Sequence, residues 1–360
     1  MNFINETDLE AGWTIGRSVA GQELLVFVVK GTYVIPPRGE KASLAEEQAP
    51  LVEADEFTGE PSLSSVLYET DYSQHKPYCD VLFNGSAYAP EGQPRESVQV
   101  LLTVGAMTKS FTVCGDRHWQ KLGLGMIVTS PEPFLKIPIS YDNAFGGVDA
   151  SDPDDIKAYL PNPVGRGFYA HRSSENYLPM PNTEEIGRPV KKTRGHYTPM
   201  ALGPIGRSWP DRLKYTGTYD EAWTETRAPF WPEDFDERYF QAAPPDQQIP
   251  YPKGGESVVL QHLTPEGHTR FALPEKQMPI LVVPHRGAAI ELDAVIDTVV
   301  IEPDLGRFSM TWRASLPLRQ SCFEIKEAVV DETKQEYDEY TVYMAECCSC
   351  RGKARSEEGE

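Results

Sequence analysis

Val258-Val259-Leu260-Gln261-His262-Leu263 and Thr269-Arg270-Phe271-Ala272-Leu273 are two short runs rich in β-branched and aromatic residues, joined through Pro265-Glu266-Gly267. The figure repeats. Ile280 to Val283 and Ala289 to Leu292 flank His285-Arg286-Gly287, and Thr298 to Glu302 and Arg307 to Leu316 flank Asp304-Leu305-Gly306. Runs of this kind bounded by Gly and Pro turns read as strands in hairpins. Successive hairpins with short turns predict antiparallel pairing, most simply a β-sandwich.

Working outward, Leu24 to Ile35 ends at Pro36-Pro37 and is apolar on both faces, which suits a central, covered strand. Val66 to Tyr72 and Cys79 to Phe83 read as two more strands, and Asn84-Gly85 as a tight turn. Val98 to Val104 and Lys109 to Val113 form a hairpin around Gly105-Ala106-Met107-Thr108. Leu135, Ile137 and Ile139 alternate with polar or Pro positions, and Pro138 points to a sheet edge. Ser43 to Glu46 fits a capping box for a short helix, and Asp154 to Tyr159 fits one or two helical turns. The 31 Pro and 28 Gly recur at short intervals along all 360 residues, as a chain of short strands and turns requires. A mainly β protein with few short helices follows.

The expected organisation has four parts. Residues 1–140 form an N-terminal β-rich block, 141–255 an aromatic, Gly- and Pro-rich ordered loop region, 256–330 a hairpin block completing the same fold, and 331–360 an acidic tail. The loop region lacks helical or strand periodicity, yet Phe, Tyr and Trp recur through it, so it does not read as a flexible linker. Long ordered loops on a rigid scaffold are where partners bind.

Three blocks of that region carry a resemblance: Tyr141-Asp142-Asn143-Ala144-Phe145-Gly146-Gly147, Gly217-Thr218-Tyr219-Asp220 with Trp223, and Asp234-Phe235-Asp236-Glu237-Arg238-Tyr239-Phe240 through Gln247. In their order and wording they resemble domain-of-unknown-function family 2169, over roughly the first nine tenths of the chain. The resemblance implies an adaptor or chaperone of type VI secretion in Gram-negative bacteria. Such a protein binds a cognate toxic effector and helps load it onto the spike, the trimeric tip protein or its cap. A non-enzymatic role without cofactor is what it implies.

Partner-binding candidates are Asp142, Asn143, Phe145, Trp209, Tyr219, Trp223, Phe230, Trp231, Asp234, Asp236 and Arg238. Asp142 and Asn143 stand beside glycines that let a ligand approach the backbone, or they simply bond the surrounding loop. Asp234 and Asp236 beside Arg238 make either an ion network or, with Trp209, Trp223 or Trp231 as sugar platforms, the carboxylates of a carbohydrate-binding module or glycosidase. That second function requires a cleft and saccharide binding. His262 with His268, the Asp149 to Asp155 series and Cys347-Cys348-Ser349-Cys350 all lack a full metal-ligand pattern, so no metal is expected.

The net charge of −20 repels phosphate backbones, which argues against nucleic-acid binding. Neither a signal peptide nor a membrane-length apolar run is visible, so the expectation is a cytoplasmic protein with no membrane insertion. Phosphate loops, zinc-protease helices and nucleophile elbows are absent from the sequence.

Overall fold

Glu23–Val34 is where the fold is anchored. Its side chains alternate between two buried environments, Leu25, Phe27 and Val29 in the main core and Leu24, Val26 and Val28 on the opposite face. Each such burial contributes roughly 1.5–3 kcal/mol, so the strand is fixed from both sides. The computed structural model describes residues 1–37, 40–123, 125–171 and 175–332, and the backbone of 342–344. Within them the protein is mainly β, in several sheets, with two short α-helices at Pro210–Leu213 and Glu221–Thr226.

The largest sheet has six strands in the order Gln248–Ile249, Cys79–Phe83, Val295–Glu302, Arg307–Pro317, Glu23–Val34 and Glu10–Arg17. A second sheet runs Thr183–Glu184, Met107–Cys114, Ser97–Val104, Ser257–Gln261, His268–Ala272. The third runs Asn2–Asn5, Ile325–Val330, Pro279–Pro284, Ala289–Asp293, Val342–Met344. Buried residues of all three contribute to one hydrophobic cluster, from Val81, Phe27 and Trp312 through Leu102, Phe111 and Val258 to Ile280, Leu292 and Val330. The arrangement is sandwich-like.

The three expected hairpins therefore form, but each in a different sheet. A hairpin turn settles only the pairing it closes. The flanking strand comes from far away, as Ser97–Val104 beside Ser257–Gln261 and Glu23–Val34 beside Arg307–Pro317 illustrate. Two of these distant pairings are parallel, Cys79–Phe83 with Val295–Glu302 and Asn2–Asn5 with Ile325–Val330.

Local expectations fare unevenly. The Gly105 hairpin forms, with Gly105 at φ +57°, and Lys136–Ile139 is an edge strand paired with Gly85–Tyr88. Asn84-Gly85 makes no hairpin, because the chain runs straight on into that edge pair. No helix starts at Ser43. The free flank of Thr32 and Val34 takes this segment instead, through Ala45 N–H to Thr32 O and Val34 N–H to Ser43 O, both 2.9 Å. Residues 154–159 form no helix either, since Lys157–Ala158 pairs with Val148–Asp149. Only Val66–Tyr68 of the run ending at Tyr72 is strand. Among the described residues no helix is long and apolar enough to cross a membrane.

Candidate functional site

The face of the six-stranded sheet turned away from the main core carries charges. Lys30 Nζ meets Asp71 at 2.9 Å, Lys76 Nζ meets Asp80 at 2.9 Å, and the Arg313 guanidinium pairs with Asp297; all six residues are buried. Asp80 also accepts from Gln241 Nε2 at 2.6 Å and from the backbone N–H groups of Ala242 and Ala243 at 2.8 and 3.1 Å. Arg313 Nη1 donates to the carbonyls of Asp71 and Ser73. Beside this layer Glu69 pairs with Arg207 and Arg212, both at 2.7 Å, and Arg212 also donates to the carbonyls of Ile205 and Tyr239. Charges buried this deep persist only when paired and hydrogen-bonded; here the Asp80 bonds hold Gln241 to Ala243 on the sheet, and Glu69 holds Arg207 and Arg212 beside it.

That anchoring holds up an aromatic surface. Asp220 caps Glu221–Thr226 by accepting from the Trp223 N–H, and Trp223 Nε1 reaches Phe230 O at 2.9 Å. Tyr219 and Trp223 meet edge to face with centroids 4.8 Å apart, and Trp231 stacks on Phe235 at 4.3 Å. Trp231 Nε1 donates to Arg17 O at 3.2 Å, and the Arg17 guanidinium lies 5.5 Å from the Phe230 ring centre. Tyr219, Trp223, Phe230 and Trp231, with Ile15 and Arg17, line an open groove of about 460 Å³. Tyr219 and Phe230 remain 50% and 38% exposed.

Four of the expected binding residues thus converge on one surface. The others do not join them. Phe145 and Trp209 are core residues, Phe145 against Tyr159 and Tyr197 and Trp209 edge to face with Tyr141 at 5.0 Å, so neither offers a ring to a partner. Aromatic residues in an aperiodic segment read alike as core or as anchor, and here the segment needs a core of its own. Asp142 bonds Ser65 N–H at 2.9 Å, the Ser65 hydroxyl and Thr58 Oγ1, and Asn143 spans Pro138 O and Arg166. Asp234 accepts from the Thr218 N–H and hydroxyl, which hold its carboxyl below the usual aspartate range. Asp236 chelates Arg238 locally. These polar residues are braces, Asp234 and Asp236 within the loop region, Asp142 and Asn143 between it and Thr58, Ser65 and Pro138.

A second pocket, about 440 Å³, is lined by Tyr68, Lys136, Asp142, Glu302 and Asp304. Its carboxylates are engaged: Glu302 by Tyr68 and Arg307, Asp304 by Ser86, Tyr88 and Lys136. Burial, and after it the Glu302 bond, pushes Tyr68 up to about 12. A third groove, about 520 Å³, sets Lys121, Lys191, Lys192 and Arg194 around Trp119 and Tyr169, a basic patch on an acidic protein. The linings of the aromatic and basic grooves share no residue.

No group of three or more metal-binding side chains occurs among the described residues. His262 Nδ1 bonds Gln99 O instead, and Cys347, Cys348 and Cys350 lie outside the described residues. Asp149 is a structural acceptor, taking the N–H groups of Ser151, Ala170 and His171 and the Ser151 hydroxyl. Burial alone would raise its pKa, but these bonds bring it down to about 2. Its contribution is therefore full above the ordinary value of 3.8 and is lost as pH falls towards about 2. Asp149→Asn should unfold at lower denaturant than the wild type at pH 7, and the gap should close between pH 4 and pH 2, as urea titrations at stepped pH will report.

The buried ions were the part of this site that the sequence reading missed. Lys30 inside an otherwise apolar strand, and Glu69 and Asp71 at the end of an apolar run, were the available signals, since a charge in such a place needs a partner.

A family model described as an uncharacterized protein conserved in bacteria, DUF2169, matches residues 20–313. No curated protein and no solved structure matches the chain.

Proposed function

From the premise that the chain belongs to the bacterial DUF2169 family, we propose that it is a type VI secretion adaptor, which binds a cognate toxic effector in the cytoplasm and helps load it onto the secretion spike. The observation that carries this reading is the aromatic groove of Tyr219, Trp223, Phe230 and Trp231, tied to the edge strand through Trp231 Nε1 and Arg17 O and held behind by the buried Glu69–Arg212 pair. Clustered aromatic anchors on a preorganised surface are what a protein-binding hot spot is made of. An adaptor joining cargo to spike needs two separate contacts, and the basic groove around Lys191 and Lys192 supplies a second surface of different chemistry.

The Tyr219→Asp, Phe230→Asp double variant alters two exposed rings and leaves the braces intact. It should weaken binding of the cognate effector by at least about 2 kcal/mol, roughly 30-fold, by calorimetry. Unchanged affinity would remove the groove from the contact. Recovery of neither effector nor spike protein in pull-downs from the native host would remove the adaptor reading itself. The alternative is a carbohydrate-binding module or a glycosidase using Asp234 or Asp236, which Thr218 and Arg238 already hold; the other acidic site is the pocket of Glu302, Asp304 and Asp142. Its carboxylates are already engaged with neighbours and tethered, which favours a bracing role, and a calorimetric panel of bacterial cell-wall saccharides tests it.

A further inference from the structure

Glu10–Arg17 is the edge strand of the six-stranded sheet and pairs on its inner side alone, with Glu23–Val34. In an antiparallel pair every second residue turns both its N–H and its C=O outward. Arg17 is such a residue: its N–H reaches Gln74 Oε1 and its C=O accepts from Trp231 Nε1. Counting back by two along the strand puts the main-chain groups of Ile15, Trp13 and Ala11 on the same outer edge. Two residues further, Leu9 is closed off again, its N–H by Thr7 Oγ1 at 3.1 Å and its C=O by Asn5 Nδ2 at 2.7 Å. Both ends of the edge are thus capped by the protein's own side chains. Between the caps, no described residue hydrogen-bonds the outward groups of Ala11, Trp13 and Ile15.

The open part also lacks the features that protect an edge. Ala11-Gly12-Trp13-Thr14-Ile15 contains no charge and no proline, and its pairing with Val29 to Leu25 is unbroken by a bulge. Trp13 and Ile15 share one face and stand 37% and 40% exposed. Ile15 is at the same time a wall of the aromatic groove, so the edge runs into it.

We propose that Ala11 to Ile15 is a strand-accepting edge. An extended segment of a partner polypeptide pairs its backbone with Ala11, Trp13 and Ile15, sets apolar side chains on Trp13 and Ile15, and continues towards Phe230. A second copy of this chain is a poorer occupant, because edge-to-edge pairing would bring together two molecules of net charge −20 and place Glu10 of each beside the joint. The inference concerns how a partner binds and stands whether or not that partner is a secretion effector.

The test uses the full chain, immobilised, to select binders from a phage-displayed random dodecapeptide library; the recovered peptide is then synthesised and labelled. Its addition should slow amide exchange at residues 11, 13 and 15 by about ten-fold or more, while residues 12 and 14, already bonded inward, change little. Ala11→Pro and Ile15→Pro each remove one outward N–H at an edge position that tolerates proline, and should weaken the peptide by about ten-fold or more. Ala11→Ser and Ile15→Val, which keep the N–H, should leave it within about two-fold. Peptides that leave these amides unchanged, or that bind the proline variants as well as the wild type, would overturn the proposal. So would failure to recover any peptide, or a concentration-dependent dimer protected at this edge. The exchange measurement is made on the wild-type chain and keeps the proposal testable if a proline variant does not fold.

Discussion

Asp80→Ala is expected to cost about 3–5 kcal/mol of folding free energy, since it removes one partner of a fully buried ion pair. Asp80 is completely enclosed and accepts from Lys76, Gln241, Ala242 and Ala243 together. Its loss leaves the Lys76 ammonium with Thr298 Oγ1 as its remaining side-chain partner and two buried N–H groups with no acceptor. A smaller residue cannot admit bulk water to replace those bonds at a position so enclosed. Chemical denaturation should report the lower stability, and Asp80→Asn should recover a fraction of it by restoring acceptors without charge. A loss below about 1 kcal/mol would mean that the ionic layer contributes little to stability.

The second large effect falls on Arg212. Arg212→Met keeps the length of the side chain but frees the carbonyls of Ile205 and Tyr239 and leaves Glu69 with Arg207 alone. A cost of roughly 3 kcal/mol is expected, because several buried acceptors go unsatisfied at once. Its location matters more than its size. Glu69 lies just beyond a strand, whereas Ile205 and Tyr239 bracket the segment that contains the aromatic groove. Amide exchange should therefore accelerate over residues 205–240 while Leu25 to Val29 stay protected. If the groove makes the effector contact proposed above, that binding should fall in the same variant although Tyr219 and Phe230 are unchanged. Equal acceleration across the whole chain would show instead that Arg212 is simply part of the global core.

Much of the fold is legible because burial writes itself as pattern. Leu24 to Val29, apolar on both faces, could only be a covered strand, and Pro138 could only sit at an edge. The partition of the longer strands among the three largest sheets is not written this way, because the pairing of Leu102 with Leu260, or of Val81 with Val299, depends on the shape of the whole core. Ser43 to Glu46 carried a good helix start, and lost to the backbone edge offered by Thr32 and Val34. Of the site, Tyr219, Trp223, Phe230 and Trp231 were nominated from sequence and do converge, because their segment is short and locally capped. Phe145 and Trp209 were nominated on the same grounds and lie inside, where only tertiary packing could place them. Asp80 was passed over because its partners, Lys76 apart, lie more than half the sheet's chain length away at Gln241 to Ala243.

The interleaving of early and late strands has a consequence for biosynthesis. Glu23–Val34 can meet Glu10–Arg17 as soon as both leave the ribosome, but its other flank waits for Arg307–Pro317, and Asn2–Asn5 waits for Ile325–Val330. For most of translation the nascent chain carries a ready-made sticky β-hairpin with no cover, and closing such distant contacts is slow. The protein should therefore lean on ribosome-associated chaperones until its final strands emerge.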